Sequence, residues 1–150
     1  MRLVVQNSLK ASCEVNNEIV GKISHGFVVL VGFTHSDNEE IVQKMAKKFL
    51  SMRVFEDENG KTNLSLKDVG GDILSISQFT LYASLKEGRR PSFVNAMEPK
   101  RANELYEHFN NCLANEGYHV EKGVFGADMK ISLTNNGPFT IILDSQELGL

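Results

Sequence analysis

The sequence contains no long hydrophobic segment. Its longest apolar stretch, residues 27–33, has seven residues, whereas a membrane-spanning helix needs about 20. Residues 1–6 turn polar before an apolar segment develops, so we expect no signal peptide. From these absences we expect a cytoplasmic protein with no membrane partner.

Cysteine and histidine are scarce, and their spacing matches none of the common metal motifs. The two cysteines, Cys13 and Cys112, lie 99 positions apart and form no CxxC pair. A count of two cysteines is still compatible with a single disulfide. Cys112 falls on the apolar face of a predicted helix, where a buried thiol acts as a small hydrophobic group. The four histidines show no HExxH spacing, so we expect no metal and no cofactor.

Proline and glycine are also infrequent, with three and twelve residues in a chain of 150, of which 41% are hydrophobic and 23% charged. This composition is typical of an ordered globular protein. A chain of this size buries roughly 68–70% of its unfolded surface, enough for one core. We therefore expect a single domain that spans residues 1–150.

The hydrophobic pattern predicts two helices among several β-strands. A helical period over residues 37–50, capped by Ser36 or Asp37, predicts the first helix, and an apolar stripe over residues 99–116 predicts the second. The predicted strands occupy residues 3–5, 13–15, 19–23, 27–31, 53–55, 72–79, 118–121, 129–133 and 139–143, with an irregular loop at 84–98. This pattern indicates one α/β domain in which two helices pack on β-sheet.

A polar cluster ends the most apolar of these strands. Side chains alternate along a strand, so Ser77 and Phe79 face one way while Gln78 and Thr80 face the other. Such a cluster suits a ligand pocket, because functional groups gather where a rigid strand opens into a loop. It also suits hydroxyls that cap a turn. A hydroxyl nucleophile would need a base beside it, and the sequence shows neither a GxSxG elbow nor a His or Asp pattern typical of a triad. Donors to an oxyanion are therefore as plausible as hydroxyl attack.

The segment Asn-Asn-Gly-Pro-Phe-Thr at 135–140 separates two predicted strands. Asn-Gly is a hairpin signal, but with Asn136 and Gly137 at the centre the closing hydrogen bond needs an N–H that Pro138 lacks. A register centred on Asn135 and Asn136 avoids this conflict, so a hairpin stays open. Gly137 and Pro138 present two adjacent carbonyls, and the sequence leaves the cis or trans state of their peptide bond open.

A basic segment stands out on an acidic chain. Residues 86–101 carry a local charge of +3, which leaves −6 for the rest of a chain whose net charge is −3. The cations are Lys86, Arg89, Arg90, Lys100 and Arg101. Such a segment predicts an anionic partner such as a phosphate backbone, although a solvated loop explains it equally well.

These motifs together resemble the D-aminoacyl-tRNA deacylases, formerly called D-tyrosyl-tRNA deacylases, over essentially the whole chain. Two motifs typical of that family are SQFT at 77–80 and NxGPxT at 135–140. Further family segments follow in order: FED at 55–57, NLSL at 63–66, DVGG at 68–71, GRRPSF at 88–93 and FGADM at 125–129. The resemblance implies a compact domain of mixed or barrel-like β layers covered by two main helices, in β/β/α order.

The resemblance implies a homodimeric enzyme that hydrolyses the ester between a D-amino acid and the terminal adenosine of tRNA, a chiral proofreading step in translation. Gly137 and Pro138, joined by a cis bond, would reach into the partner's pocket and point their carbonyls at the substrate's α-amino group. Asn135 and Thr140 belong to the same substrate-binding motif. This placement would reject L-amino acids sterically. Glycine has no side chain to reject, so glycyl-tRNA should also be accepted.

The resemblance also implies a mechanism without a protein nucleophile. Backbone N–H groups near Phe79 and Thr80 would hold the oxyanion, Ser77 and Gln78 would shape the pocket, and the ribose 2′-OH would activate or position water. An older view of the family places the nucleophile at Thr80. The tRNA would lie against three cations of the basic segment, Lys86, Arg89 and Arg90.

The chain departs from the family pattern at two positions. Asn7 replaces an arginine that is expected to brace the Gly-Pro segment, and Asn136 replaces an aspartate. We expect the activity to survive, with substrate affinity affected more than chiral discrimination. Two other functions remain open on the sequence: a non-catalytic tRNA-binding or RNA-binding module, and an esterase for small molecules.

Overall fold

A mixed sheet of six strands forms the centre of the molecule, and two further strands form a separate hairpin. The computed structural model describes residues 1–150. The strands are β1 (Arg2–Val15), β2 (Glu18–Ile23), β3 (Gly26–Gly32), β4 (Arg53–Glu56), β5 (Thr62–Ser65), β6 (Asp72–Ser77), β7 (Val120–Lys122) and β8 (Lys130–Asp144). The helices are α1 (Glu39–Leu50) and α2 (Pro99–Asn115). A single turn of 3-10 helix, Phe79–Tyr82, follows β6 and is named the pocket turn here.

The long strand β1 organises the sheet. One edge of β1 pairs antiparallel with β8 along most of its length, and the other edge pairs with β3 and then β2. β6 lies parallel to β3, and β7 lies parallel to β6. β2 also approaches β7 so closely that a Cβ on Gly21 would lie 2.9 Å from the carbonyl oxygen of Lys122. The sheet therefore curls back on itself and nearly closes.

Two apolar clusters fill the two faces of the sheet. The larger lies under the helices and joins Phe27 and Ile73 of the sheet to Phe49 of α1 and Phe109 of α2. The smaller lies inside the curl of the sheet, around Cys13, Val28, Leu74 and Ile76. Each fully buried side chain of this size contributes roughly 1.5–3 kcal/mol. This β/β/α layering confirms the predicted single α/β domain.

The first helix begins later than its sequence suggests. Asn38, not Ser36 or Asp37, is the N-cap, and its side chain accepts a hydrogen bond from the N–H of Ile41. The carboxylate of Asp37 is engaged elsewhere, because it accepts from the N–H of Thr34 at 2.7 Å and pairs with the buried ammonium of Met1. The predicted cap at Ser36 or Asp37 is therefore wrong.

Several predicted strands belong to longer ones. The predicted strands 3–5 and 13–15 are both parts of β1. The predicted strands 129–133, apart from residue 129, and 139–143 are both parts of β8. Both halves of β8 pair with β1, not with each other, so the hairpin that the sequence leaves open at 135–140 does not form. The strand predicted at 72–79 ends at Ser77, and the short β5 was not predicted.

The second helix agrees with its prediction. Pro99 lies in its first turn, the carboxylate of Glu98 caps its N–H groups, and the helix ends at Asn115. Both cysteines are free: Cys13 is buried, whereas Cys112 is half-buried and less enclosed than predicted. None of the helices combines the length and the hydropathy that a membrane-spanning helix needs.

Candidate active site

A cavity of about 450 Å³ opens where β3 and β6 end, next to the pocket turn. Ser77, Gln78 and Phe79 line one wall of this cavity, whereas Thr80 does not line it. Most of the remaining lining is apolar and includes Phe33, Met97, Ala102, Phe125, Ala127 and Met129. The structure thus places three of the four SQFT residues at a mostly apolar pocket with a few polar groups, the usual form of a ligand site.

Backbone contacts hold the pocket turn against β3. The N–H of Gln78 donates to the carbonyl of Val31 at 2.8 Å, and the N–H of Ala83 closes the turn on the carbonyl of Thr80 at 3.0 Å. Gly32 permits this approach, because a Cβ at that position would lie 2.9 Å from the carbonyl oxygen of Gln78. Glycine at position 32 is thus required by packing.

Arg2 fastens the other end of the pocket turn to the sheet. Its guanidinium donates to the carbonyl of Leu81 at 2.7 Å and to the carboxylate of Asp144 at 2.8 Å, and it lies over the ring of Tyr82. Burial opposes ionisation of Asp144, but hydrogen bonds from Arg2 and from the N–H of Gln146 outweigh it and lower the pKa of the carboxyl. The turn is therefore held at both ends.

Thr80 has no base beside its hydroxyl. The side chain of Thr80 is exposed, and its Oγ1 accepts a hydrogen bond from Nε2 of Gln78 at 2.6 Å. No imidazole, amine or carboxylate is hydrogen-bonded to it. The first N–H groups of a helical turn have no partner within that turn, so those of Phe79 and Thr80 remain available to an acceptor. The site can therefore donate to an oxyanion more readily than it can activate a hydroxyl.

The second motif forms a bulge within β8. Gln6 pairs with Thr140 and Ser8 pairs with Asn135, so residues 136–139 loop out of the ladder opposite Asn7. We name residues 136–139 the Gly-Pro bulge. Gly137 and Pro138, joined by a cis peptide bond, are both exposed.

Side chains at the base of the Gly-Pro bulge fix its shape. Oδ1 of Asn135 accepts the N–H of Phe139 at 2.6 Å. Nδ2 of Asn135 donates to the Oγ1 of Thr140 at 3.2 Å, and Nε2 of Gln6 donates to the same oxygen at 3.2 Å. Asn135 and Thr140 thus shape the bulge. The bulge does not line the cavity of its own chain, so one chain does not bring the two motifs together.

Asn7, the first departure from the family pattern, does not brace the Gly-Pro bulge. Its side chain is buried, and its Nδ2 donates to the carbonyl of Val54 at 3.3 Å, while its Oδ1 has no partner. No hydrogen bond joins Asn7 to residues 136–139. Asn136, the second departure, is exposed.

The predicted basic segment divides into two parts. Ser84 and Ser92 exchange backbone hydrogen bonds of 2.8 Å, and residues 85–91 project beyond them as a fully exposed loop, named the basic loop here. Its cations, Lys86, Arg89 and Arg90, are in no ion pair. Arg101 belongs to α2 and pairs with Glu39 and Glu104, so its charge is compensated, contrary to the prediction of one continuous cluster.

Several lining residues carry no signal of their own in the sequence. Residues 125–129 match a family segment to which the sequence assigns no role, yet all five of them line the cavity. They reach the cavity because β7 lies beside β6 and the N–H of Gly123 donates to the carbonyl of Ser75 at 3.0 Å. Only this long-range pairing could reveal their position. No cluster of three or more His, Cys, Asp and Glu side chains is arranged to hold a metal ion.

The chain is similar to known proteins over nearly its whole length. A family model described as D-Tyr-tRNA(Tyr) deacylase matches residues 4–144. The D-aminoacyl-tRNA deacylase of Lactobacillus gasseri is 59% identical over 144 residues, which cover 96% of this chain and 99% of that protein. The enzyme of the same name from Bacillus pumilus is 56% identical over 147 residues, which cover 98% and 100%.

Solved structures share the fold. The c-Myc DNA Unwinding Element Binding Protein superposes with a TM-score of 0.90 at 37% identity, covering 96% of this chain and 98% of that chain. A probable eukaryotic D-amino acid tRNA deacylase superposes with a TM-score of 0.82 at 20% identity, covering 95% and 97%, and at that identity it supports the fold alone.

Proposed function

The chain belongs to the D-Tyr-tRNA(Tyr) deacylase family, and we propose that residues 1–150, as one domain, hydrolyse the ester bond of D-aminoacyl-tRNA and of glycyl-tRNA. The products are the free amino acid and tRNA. The observation that carries this proposal is the cavity of about 450 Å³ beside the SQFT residues. The reaction belongs in the cytoplasm, where aminoacyl-tRNA is used, and needs no cofactor.

The mechanism relies on orientation and on stabilisation of developing charge. Water attacks the ester carbonyl carbon, and the carbonyl oxygen becomes an oxyanion that accepts hydrogen bonds from the N–H groups of Phe79 and Thr80. The ribose 2′-OH of the substrate positions or activates this water. When the tetrahedral intermediate collapses, the ribose 3′ oxygen leaves and takes up the proton that the attacking water has lost. Ser77 and Gln78 shape the pocket around the acyl group.

Chiral selection requires a second copy of the chain. The carbonyls of Gly137 and Pro138 hold the substrate's ammonium and leave no room for the side chain of an L-amino acid. Exposure of the Gly-Pro bulge, and its absence from the lining of its own cavity, support its insertion into the pocket of a partner in a homodimer. A two-fold dimer completes two such sites at once.

A paired assay of two enantiomers tests the proposal. Purified protein, without added metal or nucleotide, should release D-tyrosine from D-tyrosyl-tRNA and glycine from glycyl-tRNA, while L-tyrosyl-tRNA stays intact. Equal hydrolysis of the D and L esters would contradict chiral selection. Hydrolysis of tyrosine esters that lack the ribose 2′-OH would favour a small-molecule esterase instead.

The unpaired cations of the basic loop favour one other candidate, a non-catalytic tRNA-binding module. Such a module would bind tRNA with strong salt dependence, because phosphate contacts release counterions, and would cleave no ester. Ester release in the paired assay separates the two functions directly. Lys86, Arg89 and Arg90 contact the tRNA in either case.

A further inference from the structure

An exposed pair of aromatic rings lies between the cavity and the basic loop. Phe79 is 55% exposed and Phe93 is 38% exposed, and their rings meet edge to face with centroids 4.9 Å apart. We name these two residues the aromatic pair. Phe79 belongs to the cavity wall, whereas Phe93 does not. The pair therefore extends the apolar surface of the cavity outward across the rim.

The segment that carries Phe93 is firmly anchored. Phe93 directly follows the Ser84–Ser92 bridge at the base of the basic loop. Beyond it, Nε2 of His35 donates to the carbonyl of Val94 at 2.7 Å, and Oγ1 of Thr34 donates to the carbonyl of Asn95 at 2.6 Å. A bound group would thus meet a preformed surface and would lose little free energy in ordering it.

The charge beside the aromatic pair identifies the kind of partner. Lys86, Arg89 and Arg90 are exposed and in no ion pair, although the chain as a whole has a net charge of −3. Exposed aromatic rings next to unpaired cations are the combination with which proteins hold single-stranded nucleic acid, since bases stack on rings while phosphates meet the cations. An apolar protein surface would leave these cations without partners.

We propose that the aromatic pair and the basic loop bind the single-stranded 3′ end of the tRNA, with a nucleobase that precedes the terminal adenosine stacked on Phe93. The inference rests on the proposed function, which places the terminal adenosine and its ester at the cavity. From the cavity, the tRNA strand runs over Phe79 to Phe93, and its phosphates contact Arg89 and Arg90. Phe93 thus contacts a nucleotide that precedes the terminal adenosine.

Comparison of two substrates tests this inference separately from catalysis. The Phe93→Leu variant keeps an apolar side chain but removes the ring, so kcat/KM for D-tyrosyl-tRNA should fall about five- to hundredfold, the range of one stacked base. D-tyrosyl-adenosine lacks the preceding nucleotides, and its hydrolysis should be unchanged. Phe93→Tyr should restore the tRNA reaction. Ile19→Ala, which removes an apolar side chain that is 53% exposed on β2, is the matched control and should leave both reactions unchanged.

The outcomes separate the inference from the proposed function. An equal loss on both substrates would assign Phe93 to the cavity itself, and no loss on either would leave it without a role; both overturn the inference. A shift of the monomer–dimer equilibrium in Phe93→Leu would assign the ring to a second copy of the chain. If the wild-type protein cleaves neither substrate, the proposed function fails. Binding then decides the inference, since Phe93→Leu should weaken affinity for intact tRNA but not for tRNA trimmed at its 3′ end.

Discussion

At the scale of single residues, the hydroxyl of Thr80 distinguishes the two mechanisms considered for this site. Its one side-chain contact is the hydrogen bond from Gln78 at 2.6 Å, and no base adjoins it. The Thr80→Val variant keeps the shape of the side chain and removes the hydroxyl. We expect kcat for D-tyrosyl-tRNA to fall less than about tenfold, because a single hydrogen bond contributes about 1 kcal/mol. Steady-state kinetics at saturating substrate measures this value.

The nucleophile mechanism makes a different prediction for the same variant. Removal of an attacking hydroxyl typically lowers kcat by about a thousandfold or more. A loss of that size in Thr80→Val, with recovery in Thr80→Ser, would establish Thr80 as the nucleophile. An accumulated acyl-enzyme in the wild-type protein would have the same meaning.

At the scale of elements, the contact between β3 and the pocket turn depends on one glycine. A Cβ on Gly32 would lie 2.9 Å from the carbonyl oxygen of Gln78 and 3.0 Å from Cβ of Leu81. Gly32→Ala should therefore push the turn away from β3, costing roughly 1–3 kcal/mol of stability. Since the proposed oxyanion donors lie in this turn, kcat should fall about 10- to 100-fold. Urea unfolding and steady-state kinetics measure the two effects.

A second variant in β3 separates the effect of moving the pocket turn from the effect of lower stability. Val29 is fully buried under the helices, away from the pocket turn, so Val29→Ala should lose roughly 1–3 kcal/mol of stability while keeping its activity. If both variants lose activity in proportion to stability, the close approach at Gly32 has no special part in catalysis.

The same scale shows what local sequence signals can predict. Both helices agree closely with their apolar periods, because each buries one stripe on the sheet. The local sequence predicts two strands in place of β8, because Asn135, Gly137 and Pro138 all favour a turn. Its continuity depends on β1 at the other end of the chain, which pairs with both halves of β8 and leaves residues 136–139 outside the ladder. No local signal encodes such a pairing.

At the scale of the whole molecule, local sequence predicts only some residues of the candidate site. The other residues reach the site through contacts between distant segments. The position of the SQFT residues at the end of an apolar strand suits either a pocket or a capped turn, and the structure places Ser77, Gln78 and Phe79, but not Thr80, in the cavity wall. The wall formed by residues 125–129 depends on β7 lying beside β6, which the sequence does not reveal. The Gly-Pro bulge does not line the cavity of its own chain, so the role proposed for it needs a second copy of the chain.

Mixed dimers test whether the site is shared between two chains. Ala127→Trp should fill the cavity, which Ala127 lines. Gly137→Ala should deform the Gly-Pro bulge, because Gly137 has a φ of 148° and a Cβ there would lie 2.7 Å from the N–H of Phe139. Each variant alone should lose about 100-fold in kcat/KM. After the two are unfolded and refolded together, deacylation should return to roughly a quarter of the wild-type level.

The quarter follows from the geometry of a two-fold dimer. Half of the refolded dimers contain one chain of each kind, and each of these has one site with an intact cavity and an intact bulge. Variants refolded separately and mixed afterwards are the control, and they should recover only as fast as subunits exchange. A site built within one chain would show no recovery under either condition. A monomeric protein in sedimentation analysis would likewise contradict the shared site, because its bulge would have no partner cavity to enter.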